Sequence, residues 1–264
     1  MQLSTILDKL RQLHDANITR DWTVDKVNFG PEEREVSKIA VTMFATVEVI
    51  RNAAAFGAQL LITHEPTFYH DSEAVDLSNP WFTAKKRLID ESGMTLFRYH
   101  DHPHFMPVDL IDEGTIRFSG LSGEITGKPY WAVTSFRLTE PMTARQIAGT
   151  MERNLPTRHI RIAGAMDSPG RNIAFASGTP GHIREAFDRP DIDFVVTGEL
   201  CEWAEAEYAR NQAQLGGSKA ILVTGHCISE CSGMRLLAEI LQQELAGQCE
   251  TRYFASGDVY SFTD

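Results

Sequence analysis

The chain has 264 residues, 42% hydrophobic and 23% charged, the balance of a globular protein with a sizeable core rather than a disordered or fibrous one. Its 25 Lys and Arg stand against 36 Asp and Glu, and a net charge of −11 excludes a binder of duplex nucleic acid or of anionic membranes. The four cysteines, all from Cys201 onward, are too few for a disulfide scaffold, so reduced thiols in a cytoplasmic protein are the expectation.

Residues 1–17 place Leu3, Ile6, Leu7, Leu10 and Leu13 on one helical stripe, which reads as an amphipathic helix and not as a secretory signal. Lys38–Phe44 reads as a strand and Thr46–Phe56 as a helix capped by Gly57. Gln59–Thr63 is a second strand, Asn79–Ser92 a helix opened by Asn-Pro, and Met94–Tyr99 a third strand. The Gly-rich stretch Gly114–Lys128 is the natural boundary between lobes.

Beyond it the pattern predicts a strand at Tyr130–Leu138, a helix at Thr143–Asn154, and short strands at Ile160–Ala165 and Asn172–Ser177. A Gly-Thr-Pro-Gly turn follows, then a helix from His182, a strand at Asp193–Thr197 and a helix at Cys201–Gln212. Lys219–Thr224 is a strand, Ser229–Leu245 a long helix and Thr251–Ala255 a last strand. Strands alternating with helices predict an α/β protein of βαβ units with mostly parallel sheets, in which ligands collect at strand carboxyl ends. The first lobe is expected to comprise residues 1–125 with 218–264, the second residues 126–217.

The histidines cluster where such sheets bind ligands. His64 and Glu65 follow the strand ending at Thr63; His100, Asp101, His102 and His104 follow Tyr99; and His226, with Glu230 four residues on, follows the strand ending at Thr224. Three strand ends each carrying imidazole and carboxylate point to a bound Zn, Mn, Fe, Co or Ni ion rather than Ca or Mg. A single histidine at a strand end is more often only hydrogen-bonded, but three together favour metal. The segment Thr197-Gly198-Glu199 reads two ways: Glu199 points into a cleft, or Gly-Glu simply starts a helix with an acid in its first turn. Neither a phosphate loop nor Gly-x-Gly-x-x-Gly nor a Gly-x-Ser-x-Gly elbow occurs, and Cys227 and Cys231 lack a second pair to complete a sulfur site.

Three segments carry a family resemblance. Gly57-Ala-Gln-Leu-Leu-Ile-Thr-His64-Glu-Pro is similar to a Gly-Ala-Asp-Leu-Ile-Ile-Thr-His-His-Pro motif, Asp193-Phe-Val-Val-Thr-Gly-Glu199 to Asp-Val-Tyr-Ile-Thr-Gly-Glu/Asp, and Gly225-His226-Cys-Ile-Ser-Glu230 to Gly-His-x-x-Ser/Thr-Glu. In this order, over nearly the whole chain, they resemble the short form of the dinuclear-metal hexameric family labelled GTP cyclohydrolase I type 2 homologues, or NGG-interacting-factor-like proteins. The resemblance implies two pseudo-similar α/β lobes with the metal site between them at strand carboxyl ends, two divalent transition-metal ions per chain, a homo-oligomer of hexameric form, and a small-molecule substrate. His64, His226 and Glu230 match its ligands directly. Glu65 stands where the family has a second histidine, and His104 where it has an aspartate, so three imidazoles and two carboxylates are retained. Asp101 is the rival ligand to His104. His100 matches the first histidine of its segment, and His100 or Glu199 is the expected acid/base. The function implied is a metal-dependent hydrolase acting on a small polar or nucleotide-like substrate; the alternative is a non-catalytic oligomer that stores or delivers metal or scaffolds a partner.

Overall fold

The computed structural model describes residues 1–13 and 23–263. The part of the first predicted helix beyond residue 13 lies outside the described residues. The chain divides into two compact units, residues 1–107 with 234–256 and residues 108–233 with 257–264.

The first unit contains α1 (Leu3–Gln12), β1 (Val27–Phe29), β2 (Lys38–Thr42), α2 (Val47–Phe56), β3 (Leu60–Thr63), α3 (Pro80–Ser92), β4 (Thr95–Arg98), α4 (Asp101–His104) and β11 (Glu250–Tyr253). Its sheet has the order β1-β4-β3-β2-β11, parallel throughout except for β1. Local chemistry sets the helices. The Thr46 side chain accepts the Val49 amide at the start of α2 and Gly57 ends it in the left-handed region, while Asn79 and Pro80 open α3. Ala40, Leu61 and Leu96 on one sheet face meet Ile50, Ala53 and Ile89 from α2 and α3, all buried. Each large aliphatic side chain in such a layer contributes about 1.5–3 kcal/mol.

The second unit contains α5 (Leu110–Phe118), β5 (Gly123–Tyr130), β6 (Val133–Thr143), α6 (Ala144–Asn154), β7 (Arg161–Gly164), β8 (Pro169–Ala176), α7 (Ile183–Asp188), β9 (Phe194–Thr197), a π-helical turn (Glu202–Ala206), α8 (Glu207–Gln214) and β10 (Ala220–Val223). The last helix, α9 (His226–Glu244), begins in this unit and ends in the first. The second sheet has the order β5-β6-β8-β9-β10-β7. Only β8-β9 and β9-β10 are parallel pairs, so this sheet is mixed where a mostly parallel one was expected. Both faces are covered. Phe136, Ile173, Phe175 and Leu222 pack against Ile147 and Met151 of α6, and the alternate residues Ala174, Val195 and Ile221 against Ile183, Phe187 and Ala209.

The division of the chain differs from the boundaries expected at 125 and 217. The Gly-rich stretch is not a linker, because it forms the end of α5 and most of β5. The Thr115 hydroxyl donates to the Ser229 carbonyl at 2.6 Å and Ser177 to the buried Asp112 carboxylate at 2.6 Å, which ties α5 into the second unit.

Candidate metal centres

In the first unit β3 and β4 run parallel with Thr63 opposite Arg98, so the residues that follow them leave the sheet at the same edge. His64 is fully buried, and its Nδ1 lies 3.0 Å from the Tyr99 carbonyl oxygen. A carbonyl only accepts, so Nδ1 carries the proton and Nε2 keeps the lone pair that a metal needs. His100 is held in the same way: its Nδ1 lies 2.9 Å from Asp101 Oδ1. The His64 ring stacks on His100 at 4.5 Å, and both rings lie 5.3 Å from that of His104. One ring nitrogen from each of these three histidines falls within 4.8 Å of the others, a spacing that could hold a metal ion.

Asp25 builds this corner. Its Oδ1 accepts the amides of His100 and Asp101 at 2.7 and 2.8 Å, and its Oδ2 accepts the His102 amide at 3.0 Å as well as pairing with His102 Nδ1. These bonds cap α4 and turn His102 away from the other imidazoles, onto the face of Tyr99. Asp101 is occupied on both oxygens, by His100 Nδ1 and by the Val24 amide at 2.9 Å. Burial pushes its carboxyl up, but these hydrogen bonds, chiefly the one from His100, overcome that and hold it at about 2. Between the rivals, His104 therefore sits with the other imidazoles, and Asp101 stands behind His100 as an orienting carboxylate.

Glu65 borders the cluster. Its Oε1 is 3.7 Å from His100 Nε2, and its Oε2 is 3.8 Å from the buried Arg98 guanidinium. Arg98 also donates to the His64 carbonyl at 3.2 Å and to Asp71 at 2.8 Å, which pins the turn after β3.

In the second unit β9 and β10 are parallel with Thr197 opposite Val223, so Gly198-Glu199 and Gly225-His226 also leave at one edge. The helix α9 begins at His226 itself, three residues earlier than its periodicity suggests. His226 and Glu230 thereby become an i, i+4 pair on one helical face, Nε2 to Oε2 3.2 Å. The separation is in the range of an imidazole-carboxylate hydrogen bond, and both side chains are of the kinds that can serve as metal ligands. The opposite nitrogen, Nδ1, lies 3.3 Å from Glu199 Oε1 and 3.3 Å from Thr179 Oγ1, and Thr179 donates to Glu199 Oε2 at 2.9 Å. Glu199, expected as an acid/base, thus lies against the His226 nitrogen opposite the one that faces Glu230.

Both glycines of this corner are needed by their surroundings. A Cβ on Gly178, whose φ is +65°, would lie 2.3 Å from Glu230 Oε1. One on Gly198 would lie 2.5 Å from Ser229 Oγ, so the Gly198 turn is a close backbone approach. The Ser229 hydroxyl accepts the Gly178 amide and donates to the His226 carbonyl, a structural use that leaves it no nucleophilic role.

Of the residues singled out in the sequence, His64, His100 and His104 are brought together with Glu65 beside them, and His226 with Glu230 and Glu199. Asp25, Arg98 and Thr179 were missed. Thr179 alone had a usable signal, because β8 runs parallel to β9 and its following turn had to open at the same edge. No cysteine belongs to a metal-compatible group among the described residues, and Cys227 and Cys249 are buried with their thiols on backbone carbonyls.

The sequence model of DUF34/NIF3 (NGG1p interacting factor 3) matches residues 1–258. The chain belongs to this family. It is 21% identical over 255 residues to a Clostridium perfringens protein named GTP cyclohydrolase 1 type 2 homolog, covering 95% of each chain. It is 25% identical over 223 residues to a Pyrococcus abyssi protein of the same name, covering 80% of this chain and 82% of that one. The fold is shared with the Staphylococcus aureus hypothetical protein SA1388 at a TM-score of 0.77 and 15% identity, covering 99% of both chains. It is also shared with a Bacillus cereus protein related to NIF3, at a TM-score of 0.74, 15% identity and 99% coverage of both. No helix among the described residues is long and apolar enough to cross a membrane.

Proposed function

We propose that this DUF34/NIF3 protein is a metal-dependent hydrolase acting on a small polar or nucleotide-like substrate, with divalent transition-metal ions held by the histidine-carboxylate groups of its two units. The observation that carries the reading is the convergence of His64, His100 and His104 within 4.8 Å, with Nδ1 of His64 and of His100 already engaged by the Tyr99 carbonyl and the Asp101 carboxylate. Imidazoles that are merely structural have no need of a shared centre with their second nitrogens held from behind. In the second unit the reading rests on one imidazole, His226, which lies between the carboxylates of Glu230 and Glu199.

When bound, such an ion makes a bound water acidic enough to be a nucleophile at neutral pH. The chain's own residues do the rest. Tyr99, Asp101 and Glu199 fix the imidazoles in the tautomer and orientation that present lone pairs, and Arg98 holds the turn that carries His64 and Glu65. We assign proton exchange with solvent to Glu199 in addition to its contact with His226, because its side chain is 52% exposed and held by Thr179. A nucleotide-like substrate accords with the names of the relatives from C. perfringens and P. abyssi. A chain of net charge −11 repels polyanions at long range, so the attraction of a phosphate-bearing substrate must be local.

The test is a hydrolysis panel of nucleotides and phosphoesters on protein reconstituted with Mn, Co or Zn. Metal-dependent turnover that falls about a hundredfold or more in His100→Gln is expected. Protein that is loaded with metal yet inert on the whole panel would overturn the hydrolase reading in favour of storage or scaffolding.

A further inference from the structure

The second unit carries a cavity of about 650 Å³ at the other end of its sheet. It is lined by the β5-β6 hairpin, by Asn172 of β8 and by the loop after α7. The lining includes three cations, Lys128, Arg137 and Arg189, against one carboxylate, Asp191. A local excess of positive charge in a chain of net charge −11 needs a reason.

The backbone explains how the cavity forms. Arg137 and Asn172 are Cα partners across β6 and β8, so their side chains stand together on one face. Strand alternation makes it the face that α7 covers further along, over Ala174 and Val195. The helix stops at Asp188, and the sheet beyond it is left open. The register of β5 against β6 slips on both sides of Gly127, where a Cβ would meet nothing within 4 Å. The opposite wall is anchored: the Lys219 ammonium donates to the Phe187 carbonyl at 2.8 Å and also to that of Arg189.

The cations differ in what they already hold. Arg189 donates to both oxygens of Asp191, at 3.0 and 2.6 Å. Lys128 is largely buried, with its ammonium 3.9 Å from Asp109. Neither the Arg137 guanidinium nor the Asn172 carboxamide makes a hydrogen bond or ion pair among the described residues. A planar fork of donors with nothing to bind, beside a free amide and two further cations, matches the oxygens of a phosphate group. The volume is that of a small-molecule site.

We propose that this cavity binds a small phosphate-bearing molecule through Arg137, Asn172, Lys128 and Arg189. The inference does not depend on metal binding. Asn172 lies four residues before the carboxyl end of β8, about 13 Å along the strand from the turn that carries Thr179. Burial lowers the Lys128 ammonium from its ordinary range against the pull of Asp109 and Asp112, and a desolvated cation of this kind gains from an incoming anion.

Calorimetric titration with inorganic pyrophosphate tests this on the full chain, comparing wild type, Arg137→Ala and Arg145→Ala. Arg145 is ion-paired with Asp167 and does not line the cavity, so it serves as the control for overall charge. Expected are one saturable site per chain, affinity about tenfold or more weaker in Arg137→Ala, and no change in Arg145→Ala. Three results would each overturn the proposal: no saturable binding, binding that Arg137→Ala leaves intact (as it would be at a metal), or equal losses in both variants.

Discussion

Replacing Asp25 by alanine should damage the candidate metal corner of the first unit without touching any proposed ligand. Its carboxylate is 1% exposed and accepts three backbone amides, from His100, Asp101 and His102, in addition to pairing with the His102 ring. A helix cap alone is worth about 1 kcal/mol, and each hydrogen bond to a charged acceptor about 1.5–3 kcal/mol. These contributions are not additive, and a loss of about 3–5 kcal/mol is expected because three amides and an imidazole lose their shared anion. That is a large share of the roughly 5–15 kcal/mol by which proteins are stable. Asp25→Asn keeps one accepting oxygen for the His100 and Asp101 amides and should lose about half as much. Guanidinium unfolding followed by circular dichroism gives the values. The corner should also bind metal about 10–100-fold more weakly, since α4 carries His104 and its capped end fixes His100. A loss below about 1 kcal/mol for Asp25→Ala would refute the reasoning, because the carboxylate would then not be organising α4.

Three other outcomes follow from the same structure. Burial, opposed by Glu73, depresses the Lys85 ammonium from 10.5 to about 8. The folded chain therefore releases this proton before the unfolded chain does, and stability should rise between pH 8 and 10.5 by about 3 kcal/mol; Lys85→Met should lack that rise when the two are compared by denaturant titration. Gly178→Ala must place a Cβ at φ +65° and 2.3 Å from Glu230 Oε1, so it should cost about 1–2 kcal/mol and displace Glu230. Metal analysis should show a lower metal content, and unchanged content would count against Glu230 as a ligand. Glu199→Gln can keep the Thr179 hydrogen bond but loses the charge facing His226, so metal affinity should fall about 10–100-fold while the unfolding midpoint of the metal-free protein stays in place.

What could be read in the sequence follows from how local its causes are. β2, β3, β4, β9 and β10 are short apolar runs, and their order against helices is enough to place His64, His100 and His226 at carboxyl ends of strands. The helix caps at Thr46, Gly57 and Asn79 are equally local. α5 and β5 were not legible because glycines at 114, 120, 123 and 127 look like breakers. Gly114 is instead a close contact: a Cβ there would lie 2.4 Å from the Gly233 backbone, which only the folded arrangement reveals. The start of α9 at His226 was hidden by the Gly225 turn before it.

The orienting partners were harder still. Asp25 lies 75 residues before the His100 amide it caps, and Thr179 is 47 residues from His226. Residue types at strand ends announce a candidate ligand set, whereas the groups behind them are chosen by tertiary packing. The assignment of His100 and Asp101 shows the consequence. Adjacent in sequence, they looked like separate functional groups, and in space one holds the other.

The central claim is that these histidines and carboxylates bind metal. The most direct measurement is elemental analysis of protein purified without chelators, beside the double variant His226→Ala/Glu230→Gln. The account predicts two divalent transition-metal ions per wild-type chain and a clear loss in the folded variant. Equal, near-zero metal in both proteins would contradict it.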